Sequence, residues 1–164
     1  MLKIQRRLAA ARQEDGFTLI ELAVVILIIG ILLAVAIPTF LGVRKNAQNK
    51  AAQSSVRNAF QAAKSWASDG GSYKGLTPAL LQGEAPELTV TGALSDAPKT
   101  IGFTLDDTAF TLTLVAKSQA GTCYYLHDNL DDAGAIASKQ YGKADAASGK
   151  CDAAAQGINW DTKG

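Results

Sequence analysis

Few side chains in this 164-residue sequence have the type and spacing that chemistry demands. His127 is its one histidine, and a lone imidazole without a second ligand or a nucleophile makes neither a metal site nor an acid–base pair. It reads as a structural or solvated residue at a strand end. Asp128, Asp131 and Asp132 could offer oxygen to a hard cation such as calcium. Leu130 interrupts EF-hand spacing, however, and acidic turns are ordinarily just solvated. Neither Cys123 nor Cys151 has a CxxC neighbour, and no glycine-rich phosphate loop occurs. No catalytic residue, metal or cofactor is therefore expected, and the chain reads as a non-enzyme.

The chemically misplaced residue is Glu21. After it, Leu22 to Val43 (LAVVILIIGILLAVAIPTFLGV) carries no charge. As a helix this run spans about 33 Å, against a hydrocarbon core of about 30 Å, and a helix is the state that satisfies the backbone of a single apolar span. An acid there costs up to about 2.5–3.5 kcal/mol at mid-bilayer depth, less near the interface. A plain membrane anchor gains nothing from it. A carboxylate that must find a positive partner in apolar surroundings instead sets a register between packed helices. Cutting the chain before Phe17 would create such a partner, a free α-amino group close to Glu21.

Two ordinary readings compete. One is the plain anchor. The other takes residues 1–16 as a basic n-region and Ala34-Val35-Ala36 as a small-residue cleavage site, with a soluble secreted binding protein starting at Ile37. Against that stand an apolar run longer than such regions have, Glu14 and Asp15 at its start, and Glu21 inside it.

The run Gly16-Phe17-Thr18-Leu19-Ile20-Glu21-Leu22, with a short basic leader before it and the apolar stretch after it, resembles the class III signal of type IV pilins. The resemblance implies that a prepilin peptidase cuts between Gly16 and Phe17 on the cytoplasmic face and N-methylates Phe17. It also implies that Glu21 meets the terminal amine of a neighbouring subunit during assembly. Charge alone leaves the orientation nearly balanced, because Arg44, Lys45 and Lys50 follow the span closely. The resemblance makes the leader cytoplasmic.

The helical pattern continues past the apolar run. Phe40, Val43, Ala47, Ala51, Val56, Ala59, Phe60, Ala63, Trp66 and Ala67 recur mostly every three or four residues, with Arg44, Lys45, Asn46, Gln48, Lys50, Arg57 and Lys64 between them. The pattern predicts one helix from Phe17 to Ser68, about 78 Å long, ending where Asp69-Gly70-Gly71 permits a left-handed cap. Its surplus half must bury its stripe on the downstream domain. Pro38, with Gly30 and Gly42, weakens this helix, and a kink or local opening is expected near Ala34 to Pro38. In pilins the corresponding segment is associated with unwinding inside the fibre.

Beyond Gly71 the sequence turns to Gly, Pro, Ser, Thr and Asp with short β-prone runs. A short helix is expected around Pro78–Leu81 and a strand near Leu88–Thr91. Ile101–Leu105 and Ala109–Ala116 form a strand pair across the turn Asp106-Asp107-Thr108, with Phe110, Leu112 and Leu114 alternating against Thr111 and Thr113. Thr122–His127 is a third strand and Ala135–Ser138 a weaker fourth. If the N-terminal segment carries this part out of the cytoplasm, a Cys123–Cys151 disulfide is the favoured state of the two cysteines. The resemblance makes the segment between them the variable surface loop of pilins, and Gly142, Gly149 and Gly157 make it read as a loop.

The expected fold is thus α+β: a long N-terminal helical spine packed on a small antiparallel β-sheet head. The expected divisions are a cleaved leader (1–16), a membrane and assembly half (17–43), an amphipathic half (44–69) and the head (70–164). The chain has 16 basic and 15 acidic residues, and the excess comes from the leader. Past Gly16 no bulk field favours nucleic acid. The resemblance implies a major pilin that is held in the cytoplasmic membrane before assembly and then polymerises with itself into an extracellular fibre serving adhesion, motility or DNA uptake. Its implied partners are the prepilin peptidase, an inner-membrane assembly platform and, indirectly, an assembly ATPase. The alternatives are a minor pilin and a pseudopilin of a type II secretion system. The cysteine pair speaks against the latter, because major pseudopilins often lack it and use calcium.

Overall fold

The computed structural model describes residues 16–161 apart from 107, 109, 132–134, 147–148 and 156–157. The basic leader residues Lys3, Arg6, Arg7 and Arg12, the acids Glu14 and Asp15, and Asp107, Asp132 and Gly157 lie outside the described residues. The chain divides into two units, residues 1–42 and 43–164.

Helix α1 runs from Leu19 to Gly70, starting in the first unit and ending in the second. In the first unit its apolar side chains, from Leu19 to Leu41, are all exposed. Pro38 lies inside α1 and the helix continues across it. The local opening expected at Ala34–Pro38 is therefore absent from the single chain, although proline cannot donate to the carbonyl of Ala34. One residue further on, the Thr39 hydroxyl donates to the Val35 carbonyl at 3.1 Å. α1 stops as expected: Gly71 has φ +68°, the left-handed region glycine adopts without cost, and its N–H donates to the Ala67 carbonyl at 2.8 Å.

In the second unit α1 buries Ala52, Ser55, Val56, Ala59, Phe60, Ala63 and Ala67, a stripe of mostly small side chains that lets the sheet approach closely. The stripe starts later than its periodicity implies. Phe40, Val43, Ala47 and Ala51 are exposed, and Trp66 is half-buried. Helix α2 (Pro78–Glu84) has Pro78 in its first turn, and the Thr77 hydroxyl caps the Leu80 N–H at 3.3 Å.

The strands are β1 (Thr89–Val90), β2 (Leu94–Ser95), β3 (Thr100–Leu105), β4 (Thr111–Lys117), β5 (Thr122–Leu130), β6 (Ile136–Asp145), β7 (Cys151–Asp152) and β8 (Asn159–Asp161). Six of them form one sheet in the order β1-β3-β4-β5-β6-β8, while β2 and β7 form a second. The expected all-antiparallel pattern holds except at one edge, where β1 runs parallel to β3. Alternation along the strands sends Leu112, Leu114, Leu126 and Leu130 toward α1. Val115, Cys123 and Tyr125 point the other way, into a smaller core with Cys151 and Ala153. The result is a long N-terminal helix against an antiparallel-rich sheet, an α+β, pilin-like fold.

The segment between the cysteines is not the loop its glycines imply. β6, which begins in the weaker strand expected at Ala135–Ser138, is the longest strand among the described residues, and Gly142 lies within it. A Cβ at Gly142 would come within 2.5 Å of Ile158 and 2.9 Å of Trp160, so this glycine makes room for the Trp160 ring instead of for a turn.

Candidate functional site

The candidate site is the N-terminal end of α1 and the apolar surface that follows it. Gly16, Phe17 and Thr18 precede the first helical residue. Phe17 is 87% exposed, and Gly16 has open space where a side chain would go, so the bond between them is accessible.

Thr18 and Glu21 form a reciprocal cap. The Thr18 N–H and hydroxyl both donate to Glu21 Oε2 at 2.8 Å, and the Glu21 N–H donates to Thr18 Oγ1 at 3.3 Å. This is a capping box, in which helix-start donors are satisfied by side chains three residues apart. The carboxylate also stands at the positive end of the helix dipole. Thr18 is given no role by the resemblance, yet its signal is present in the sequence as Thr-x-x-Glu before an apolar run. The box engages Oε2 and leaves Oε1 for another donor.

Past Glu21, one helix among the described residues is long and apolar enough to cross a membrane, and the share of its apolar window buried within the chain is 0%. An apolar surface this large is not left to water. It needs lipid or other protein around it. Gly30 and Gly42 have open space at the Cβ position, so nothing among the described residues packs on them.

The other candidate residues do not converge. Cys123 and Cys151 form a disulfide with Cα atoms 5.6 Å apart, tying the back of β5 to β7. His127 lies inside β5, not at a strand end, with Nδ1 2.9 Å from Thr113 Oγ1 and its ring 5.4 Å from that of Trp160. Asp128 is fully buried and accepts the Tyr73 hydroxyl, so the solvated acidic turn expected of it is a core residue. Asp131 is exposed, and its carboxylate accepts the Ala135 N–H at 2.8 Å.

Residues 11–37 match the prokaryotic N-terminal methylation motif, the class III signal peptide of type IV pilins. No curated protein and no solved structure matches the chain.

Proposed function

We propose that the chain is the precursor of a major type IV pilin, cut between Gly16 and Phe17, N-methylated on Phe17 and polymerised into an extracellular fibre. The observation that carries this reading is the methylation motif over residues 11–37, leading into a helix whose apolar surface is exposed. The subunit waits in the cytoplasmic membrane and then exchanges lipid for the helices of other copies, where dispersion and apolar burial replace lipid contacts. It is a structural protein and not an enzyme. Residues 17–43 form the assembly half of the spine, 44–69 its amphipathic half and 70–164 the fibre surface.

Glu21 sets the stagger. Thr18 holds the carboxylate by Oε2, and Oε1 accepts the amine of a neighbouring subunit's Phe17. The weak point at Pro38, flanked by Gly30 and Gly42, opens in the fibre and gives it extensibility. A prepilin peptidase, an assembly platform and, through it, an ATPase serve this process. The Cys123–Cys151 disulfide favours a pilin over a pseudopilin.

Mass spectrometry of sheared surface fibres tests the reading. A subunit beginning at methylated Phe17 is expected, and one beginning at Ile37 would overturn it. Glu21→Gln is expected to abolish fibres while leaving the subunit processed and in the membrane. An absence of fibres from cells carrying the parent chain, together with a secretion defect when the chain is deleted, would assign it to a pseudopilus.

A further inference from the structure

The six-stranded sheet is wider than the helix that roofs it. Adjacent strands lie about 4.8 Å apart, so the sheet spans about 24 Å, whereas a helix with its side chains is about 10–12 Å across. On the β1 flank α2 provides a second roof and buries Leu81. The β8 flank has no such helix among the described residues. There a groove of about 480 Å³ opens between α1 at Gln53–Arg57 and strands β5, β6 and β8, within the range of small-ligand sites.

Strand register builds its floor. Tyr124, Lys143 and Asn159 stand opposite one another across β5, β6 and β8. The next rung on that face is Leu126, Tyr141 and Asp161. The Arg57 guanidinium lies 5.5 Å from the Tyr141 ring centroid, and Lys139 Nζ lies 5.6 Å from the same ring. Tyr141 therefore holds cations, and its ring orients Arg57 at the lip of the groove. Lys143 and Asn159 are exposed, while Tyr124 and Gln53 are half-buried.

Arg57, from the α1 wall, and Lys143, from the β6 floor, line the same groove and outnumber its one acid, Asp161, so together they suit a single carboxylate. The amides of Gln53 and Asn159 donate to and accept from hydroxyl groups. The Tyr124 ring offers an apolar surface with a polar edge. A nucleic-acid strand would need a succession of open aromatic faces, and Tyr141 is already engaged by two cations. We propose that this groove binds an acidic saccharide, with Arg57 and Lys143 holding its carboxylate and Tyr124, Gln53 and Asn159 contacting its ring and hydroxyls.

The test is calorimetric titration of the full chain in detergent, at fixed ionic strength. The probes are hyaluronan tetrasaccharide, the neutral sugar cellotetraose, and an oligothymidylate of about 12 nucleotides, a length within known single-strand site sizes. Saturable binding of the hyaluronan fragment is expected, weaker by about tenfold or more in Arg57→Gln and in Lys143→Gln. Lys74→Gln, outside the groove, should bind like the parent. Arg57 and Lys143 are exposed, so unchanged thermal unfolding is the control for folding. Equal binding of cellotetraose, tighter binding of the oligonucleotide, no binding of the hyaluronan fragment, or parental affinity in both groove variants would overturn the proposal. Glu21→Gln should bind as the parent does, which separates this outcome from that of the assembly reading.

Discussion

The Tyr73 phenol, three residues beyond the end of α1, donates a 2.5 Å hydrogen bond to Asp128 Oδ2 near the end of β5. Both side chains are fully buried, and Asp128 Oδ1 has no hydrogen-bond partner among the described residues. This one contact fastens the chain leaving α1 to the strand at the centre of the core. Tyr73→Phe would leave a buried carboxylate with neither oxygen paired. It should cost about 3 kcal/mol in urea unfolding. Adding Asp128→Leu should recover most of that loss, because replacing both partners of a buried polar pair by apolar groups is tolerated far better than removing one.

Stability should fall at both ends of the pH scale, for different groups. Burial pushes the His127 imidazole below its ordinary value, opposed by the charges of Asp128 and Asp106. The unfolded chain then takes up the proton first, so the stability this group contributes is complete above about pH 6.5 and is lost as pH drops. Burial, with the hydrogen bond to and charge of Asp128, pushes the Tyr73 phenol up. Its contribution is complete below about pH 10 and is lost as pH rises. Denaturation midpoints measured against pH should show both shoulders. His127→Gln should flatten the step near pH 6, and Tyr73→Phe the alkaline one in part, since burial also raises Tyr125.

Gly142→Ala would set a methyl group against Ile158 and the Trp160 ring. Both are side chains and can shift, so a cost of about 1–3 kcal/mol is expected from overpacking. The shift should be read locally, as faster hydrogen exchange at Asn159 to Asp161, with the amides of β4 unaffected.

Reducing the Cys123–Cys151 bridge, or replacing both cysteines by serine, should lower stability by about 3–4 kcal/mol on the chain-entropy account. The two residues are separated by 28 positions. Thermal unfolding with and without reductant measures the difference, and the double serine variant should be insensitive to reductant.

The elements legible in the sequence were those specified by residues close together in the chain. The charge-free run, the glycine pair after Asp69 and the Thr-Pro before Ala79 mark the helices, and the Leu-Thr alternation marks β4. Glu21 stood out because nothing local explains an acid there, and Thr18 could have been read with it. What escaped depends on distant partners. The burial of Asp128 requires Tyr73, 55 residues away. Only the start of β6 is legible, in the weaker strand expected at Ala135–Ser138; the rest reads as a loop because its glycine is accommodated by Trp160, on a strand of three residues. The apolar periodicity from Phe40 to Ala51 was real, but periodicity does not say which partner a face awaits, and the sheet takes up the stripe only from Ala52.

The bridge joins two sheets. Cys123 belongs to the six-stranded one, and Cys151 to a pair of strands that share only two residue pairings with each other. That pair is held on the sheet by Ser95, whose buried hydroxyl accepts the Lys117 N–H at 3.1 Å, and by the small core around Cys151 and Ala153; the covalent tie is added only where thiols are not kept reduced. Once it meets an oxidant, it is riveted there. Under the export proposed above, the bridge closes only where the oxidant is met, and its presence in a subunit reports that the crossing has taken place.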